Sequence, residues 1–273
     1  MLSRPARREH IHLSLPEAAA VAEEVTEAAV AAEAITAEEE VTGSDMAYRL
    51  AVFDMDGTIL NTIDDLTDAT NHALEACGYK VHTVDEVRFF VGNGIAKLIE
   101  RATPAGTSEE EREKVRAEFM AYYKVHSADR TGPYDGIKDL LKKLRAAGVR
   151  TAVVSNKPDV AVRDLVVKYF DGLFDAAVGD MEGQRTKPAP DMCMKVFKKL
   201  GMGPEGAVYI GDSDTDIQTA RNAGLGEILV SWGFRGREFL EEHGAKCICD
   251  TTDEVYDIIV GKSNRLPYGD ENS

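Results

Sequence analysis

Asp54-Met55-Asp56-Gly57-Thr58 closes the apolar run Leu50-Ala51-Val52-Phe53. A short, unbroken apolar run that ends in carboxylates and glycine reads as a buried central strand feeding a tight loop. Open α/β sheets bind their ligands at the carboxyl ends of such strands. A sharp turn at Gly57 would let Asp54 and Asp56 serve one site. A lone Asp-Gly is adequately explained as a surface turn. Two carboxylates at the end of a buried strand are not, and they point to acid–base or nucleophilic chemistry.

Further polar residues stand at the ends of later apolar runs. Ser155-Asn156-Lys157 follows one, Lys187-Pro188 lies in the loop after another, and Gly211-Asp212-Ser213-Asp214-Thr215-Asp216 ends a third. A hydroxyl, a lysine and an acidic cluster brought beside Asp54 and Asp56 would form one coherent site. Its carboxylates would repel unless a cation neutralised them, and all-oxygen ligands select a hard ion such as Mg²⁺. A metal held by carboxylates, with a lysine and a serine left over, suits an incoming phosphate.

The elements that must position these groups follow from the periodicity. A helix from Asn61 or Thr62 to Ala76 or Cys77, with Gly78 as its stop, is followed by helices near 85–90, 94–102 and 108–126, with no convincing strand among them. From the turn-rich Gly132-Pro133-Tyr134-Asp135-Gly136 onward, helices alternate with strands expected at Val149–Val154, Phe174–Val178, Ala207–Ile210 and Glu227–Val230, before a short terminal strand and helix. Strands separated by helices of this length imply a parallel sheet with right-handed crossovers. The expected fold class is α/β, a doubly wound, Rossmann-like parallel-sheet core at 46–61 and 133–273, with an all-helical cap inserted at 62–132.

Residues 1–45 differ in composition. They are rich in Ala and Glu and set three arginines against ten acids, so they carry almost half of the net charge of −16. Val21, Val25, Ala28, Ala32 and Ile35 give a weak helical stripe, and the expectation is a disordered or loosely helical tail. The overall acidity argues against nucleic acid and anionic membranes as partners. No apolar run approaches the roughly 20 residues of a membrane span. Cys77, Cys193, Cys247 and Cys249 lack zinc-site spacing and read as reduced thiols of a cytoplasmic protein.

Taken together, DMDGT, SNK, KPAP and GDSDTD resemble the four ordered motifs of the haloacid dehalogenase superfamily of phosphohydrolases, over about 47–260. The resemblance implies that Asp54 is the nucleophile, forming an aspartyl-phosphate, and that Asp56 is the general acid and then the base. It implies Mg²⁺ held by Asp54, the main-chain carbonyl of Asp56 and Asp212, with Asp216 assisting. Ser155 and Lys187 would grip the phosphoryl oxygens, supported by Thr58 and Asn156. Dehalogenases of the superfamily lack the second Asp and the metal, so Asp56 points to phosphate. Asp214 reads as a cap of the following helix, a role that Ser213 could take instead. Asp64 and Asp65 read as first-turn acids of the first cap helix, His72, His82 and His126 as ordinary cap positions, and Lys157 as facing solvent or the helix start.

The insert resembles the cap of the phosphoglycolate phosphatase and β-phosphoglucomutase group. Gly92-Asn93-Gly94 at a helix start offers N–H groups that suit the carboxylate of a small phosphorylated acid, or simply a turn that needs glycine; Arg101 lies further along. The expected activity is hydrolysis of a small phosphorylated metabolite, with 2-phosphoglycolate first, by a monomer or homodimer. Pyrophosphatase, other phosphomonoesterase and phosphosugar mutase activities are the alternatives.

Overall fold

The computed structural model describes residues 47–263, so the expectations for residues 1–45 and for the last ten residues lie outside it. A six-stranded, wholly parallel sheet occupies the centre. Its strands are β1 (Leu50–Phe53), β4 (Arg150–Pro158), β5 (Ala176–Asp180), β6 (Ala207–Gly211), β7 (Gly226–Val230) and β8 (Ile248–Cys249), in the order β5-β4-β1-β6-β7-β8. The order reverses direction at β1, which pairs with β4 on one side and β6 on the other. That reversal opens a crevice at the carboxyl end of β1, where Asp54 stands.

Alternation along β1 explains why every residue in it is apolar. Leu50 and Val52 pack on one face, against α7 (Asp191–Leu200) and α8 (Asp214–Ala223). Ala51 and Phe53 pack on the other, against α5 (Ile137–Ala146), α6 (Asp159–Phe170) and α10 (Thr252–Ile259). A strand covered on both faces has no polar side. Truncating a buried ring such as Phe53 to alanine costs about 3–5 kcal/mol in such a core.

Between β2 (Leu60–Asn61) and β3 (Gly132–Pro133) lie four helices: α1 (Ile63–Ala76), α2 (Val84–Phe90), α3 (Ile95–Ala102) and α4 (Glu109–His126). β2 and β3 pair antiparallel, so the two crossings between core and insert are hydrogen-bonded to each other. The helices bury an apolar cluster that includes Leu66, Leu74, Ile99 and Phe119. Capping boxes at Thr83/Glu86 and Ser108/Glu111 start α2 and α4. Among the described residues no helix is long and apolar enough to cross a membrane.

Several expectations shift. β4 continues through Ser155, Asn156 and Lys157 to Pro158, with a register break against β5, so these residues sit within extended chain rather than after it. β5 begins at Ala176, and Phe174 packs its ring against Phe53 and Phe170 instead of joining the ladder. A short helix, α9 (Gly236–Glu242), follows β7 and was not anticipated. The N-cap of α8 is Ser213, whose N–H and hydroxyl both donate to Asp216 Oδ2, so Asp214 is the first helical residue and not the cap.

Candidate active site

The β1 carboxyl end delivers Asp54, and the chain then turns through Gly57 at φ +85°. A side chain at Gly57 would meet Asp212 Oδ2 at 2.3 Å, and one at Gly233 would meet Asp212 Cβ at 2.2 Å. Both glycines therefore make room for one carboxylate. Asp212 Oδ1 accepts the Thr58 hydroxyl at 3.1 Å and Oδ2 accepts the Phe234 N–H at 2.7 Å. Carboxylate oxygens of Asp54, Asp212 and Asp216 lie within 4.8 Å of one another, all three residues buried.

Lys187 reaches into this cluster, with Nζ 2.7 Å from Asp54 Oδ1, 2.8 Å from Asp216 Oδ1 and 3.0 Å from the Tyr209 hydroxyl. Asn156 holds Lys187 in place, accepting its N–H at 2.7 Å and donating to its carbonyl at 3.1 Å. Asp216 is saturated: Oδ1 takes Lys187 and the Tyr209 hydroxyl, while Oδ2 takes the N–H groups of Asp212 and Ser213 and the Ser213 hydroxyl. Its position suits bracing Lys187 and the start of α8. Ser155 is buried and borders the cleft, where its hydroxyl accepts the Lys157 N–H at 3.2 Å.

Electrostatics reveal what the cluster lacks. Burial pushes the Asp54 carboxyl well above its ordinary range; Lys187 opposes the shift, and Asp216 and Asp212 add to it. Burial, reinforced by Asp216, lifts Asp212 to about 7. For Lys187 burial pulls downward, but Asp216 and Asp54 outweigh it and the net shift is upward. Among the described residues, four carboxylates, Asp54, Asp56, Asp212 and Asp216, meet two lysines in ion-pair contact, Lys157 and Lys187. The deficit of two charges and the all-oxygen donor set fit one hard divalent cation.

The cleft above the cluster is lined from both sides. Asp54, Asp56, Ser155, Asn156, Lys157, Lys187 and Asp212 form its floor, and Leu66, Val91, Gly92, Gly94, Ile95, Leu98 and Tyr123 come from the insert. Asn93 does not line it. Its amide donates to Thr215 at 2.7 Å and its carbonyl oxygen accepts Arg101, so it ties the insert to α8. Gly92 does border the cleft, and its carbonyl accepts the Asn156 amide at 3.2 Å. Thr58 acts on Asp212 rather than on the cleft.

A family model described as haloacid dehalogenase-like hydrolase matches residues 51–230. This chain belongs to that family. It is 35% identical over 202 residues to phosphoglycolate phosphatase 1 of Pseudomonas aeruginosa, covering 71% of this chain and 74% of the relative. It is 30% identical over 191 residues to a phosphoglycolate phosphatase of Aquifex aeolicus, covering 68% and 86%. A solved Lactobacillus delbrueckii subsp. bulgaricus protein, provisionally named a phosphoglycolate phosphatase, superposes with a TM-score of 0.76 at 43% identity, over 79% of this chain and all of that one.

Within this haloacid dehalogenase-like hydrolase, several site groups escaped the sequence reading. Lys157 does not face solvent: its side chain is 3% exposed and its ammonium lies 3.0 Å from Asp56 Oδ1. Its position directly after Ser155-Asn156 was the available signal. Tyr209, the one polar-tipped residue of β6, gives its hydroxyl to the Lys187 cluster. The loop after β7 sends Trp232 Nε1 to the Thr58 carbonyl at 3.0 Å, Phe234 into the apolar cluster of the insert, and Arg235 to the edge of the cleft. Asp64 and Asp65 do lie in the first turn of α1, but Asp65 is buried and accepts the N–H groups of Arg130 and Thr131. The cap histidines have partners: His72 and His126 stack on either side of Tyr122, and a ring nitrogen of His82 lies 2.9 Å from the Ala102 carbonyl.

Proposed function

We propose that this hydrolase is a Mg²⁺-dependent phosphatase that cleaves 2-phosphoglycolate through a phosphorylated Asp54. The observation that carries the chemistry is the pair Asp54 and Asp56 at one mouth, the first held by Lys187 at 2.7 Å and the second by Lys157 at 3.0 Å. Asp54 attacks phosphorus while Asp56 gives its proton to the departing glycolate oxygen. Asp56 then takes a proton from the water that hydrolyses the acyl phosphate. Ser155 and Lys187 hold the phosphoryl oxygens, and Thr58 and Asn156 fix Asp212 and Lys187 behind them. Mg²⁺, held by Asp54, Asp212 and the Asp56 carbonyl with Asp216 behind, supplies the positive charge that lets a dianionic ester approach a carboxylate.

Arg235 supports the carboxylate end of the substrate. It borders the cleft, and among the described residues no carboxylate lies within ion-pair distance of it. Burial, the largest influence on it, pulls its guanidinium below its ordinary pKa, although Asp212 and Asp214 oppose the shift from a distance. Gly92 beside it, and Gly94 on the same cleft, allow close approach of a small anion. The named Pseudomonas and Aquifex relatives point to the same substrate.

The test is phosphate release from 2-phosphoglycolate, pyrophosphate, β-glucose 1-phosphate and nucleoside monophosphates, with Mg²⁺ and with EDTA. A preference for 2-phosphoglycolate, lost in EDTA, is expected. Preference for another ester would retain the Asp54 chemistry and remove the reading of Arg235. No release from any of them would end the phosphatase reading.

A further inference from the structure

Three side chains from separate parts of the sequence form a line from the insert to Asp56. Lys157 Nζ lies 3.0 Å from Asp56 Oδ1 and donates to the Tyr123 hydroxyl at 2.6 Å. The ammonium also sits over the Tyr123 ring, 4.7 Å from its centroid. Tyr123 is buried on α4, in the helical insert, while Lys157 belongs to β4 of the core. Enclosing an ammonium is expensive unless it is paired and hydrogen-bonded. Lys187 serves Asp54 and Asp216, so Lys157 serves a different carboxylate, and none of the steps proposed above gives it a role beyond contact with Asp56.

The oxygens of Asp56 divide the work. Thr62 donates to Oδ1 at 2.7 Å, and Lys157 binds the same Oδ1. Among the described residues no hydrogen bond reaches Oδ2. Two donors on one oxygen fix the rotation of the carboxyl group and leave the other oxygen for the reacting atoms.

We propose that Lys157 and Tyr123 are positioning residues that make acid catalysis by Asp56 depend on the docked insert. Lys157 holds Oδ1 so that Oδ2 meets the leaving-group oxygen. Tyr123 holds Lys157 only while α4 lies against the core. The inference rests on the acid–base reading of Asp56, but not on the identity of the ester.

The consequence is a dependence on the leaving group. An alkoxide needs a proton as it departs, whereas 4-nitrophenolate leaves without one. A lysine that merely steadied the fold, or drew in the phosphate dianion, would matter equally for both. Hydrolysis of 2-phosphoglycolate, β-glycerol phosphate and 4-nitrophenyl phosphate is therefore compared for the wild type, Lys157→Met, Lys157→Arg, Tyr123→Phe and the double variant Lys157→Met/Tyr123→Phe. Lys157→Met is expected to lower kcat/KM, which reports transfer to Asp54 and not the later base step shared by all esters, about 10–100-fold on the alkyl esters, with a much smaller loss on the aryl ester, which also reports that the variant has folded. Lys157→Arg restores part of the alkyl activity because it keeps a cationic donor. Tyr123→Phe shows the same pattern more weakly and adds nothing once Lys157 is gone.

Equal losses in kcat/KM on alkyl and aryl esters would overturn the proposal, as would independent effects of the two residues. If the wild type cleaves β-glycerol phosphate but ignores 2-phosphoglycolate, the substrate reading fails while the roles of Lys157 and Tyr123 are still measured. If Asp56→Asn shows no leaving-group dependence in kcat/KM, the acid–base reading falls and this inference with it.

Discussion

Asp212 holds a charge that the metal-free protein can barely support. Its pKa of about 7, raised first by burial and then by Asp216, stands above the roughly 3.9 of an unfolded chain. Between about pH 4 and pH 7, the folded form keeps a proton that the unfolded form has released. Stability in EDTA therefore falls as pH rises through that window and levels off above it. Asp54, shifted in the same direction, adds to the effect. Melting curves in EDTA for the wild type and Asp212→Asn check the sign. The variant has no proton to lose there, so the wild-type Tm should fall relative to it from pH 4 to pH 7. Mg²⁺ should stabilise the wild type most at the upper end, because ligands bind metal in their ionised form. At the same scale, Asp54→Asn should abolish turnover, and Asp56→Asn should lose about 10²–10⁴-fold in kcat on alkyl esters while still binding substrate. Near-normal rates in either variant would break the assignment. The carboxylates were legible because their spacing repeats a motif order. Lys157 was not, since nothing in a sequence says that a lysine after Ser155-Asn156 is enclosed by a tyrosine from a helix more than thirty residues earlier.

The loop after β7 joins elements that the sequence pattern treats separately. Arg235 donates to the carbonyls of Arg88 and Val91 at 2.9 Å each, at the carboxyl end of α2, where a cation is favoured by the helix dipole. Phe234 enters the apolar cluster of the insert while its N–H holds Asp212. One short loop thus ties the insert to a candidate metal ligand. Arg235→Ala should raise KM for 2-phosphoglycolate by about tenfold or more, the scale of a lost hydrogen bond to a charged group. It should change 4-nitrophenyl phosphate less, since that ester has no carboxylate; an equal rise for both esters would make Arg235 only a strap on α2. Element types were readable from periodicity because helices and buried strands differ in their apolar spacing. Their ends were less so, as Phe174 shows: an aromatic residue buried against Phe53 and Phe170 has the composition of a strand without joining one. The loop was missed for the converse reason. Trp232, Gly233, Phe234 and Arg235 have no periodicity, and their importance lies wholly in contacts distant in sequence.

At the scale of the whole molecule, a strongly acidic chain is proposed to receive an acidic substrate. The net charge is −16, and residues 1–45 supply almost half of it with three arginines against ten acids. The candidate site is built from residues between Asp54 and Arg235, and the family match spans 51–230. Deleting residues 1–45 should therefore leave kcat unchanged. The long-range field is another matter. At about 0.01 M salt the screening length is near 30 Å, and negative charge anywhere on the chain raises the work of bringing in a dianion. Removing the excess acids of residues 1–45 should lower KM for 2-phosphoglycolate at that ionic strength. Near 0.15 M, where screening acts over about 8 Å, the full and shortened chains should coincide. Steady-state rates of both chains across that range of NaCl, at fixed free Mg²⁺, separate the two effects. A change in kcat that persists at the higher salt would mean that residues 1–45 act on the site by contact and not through charge.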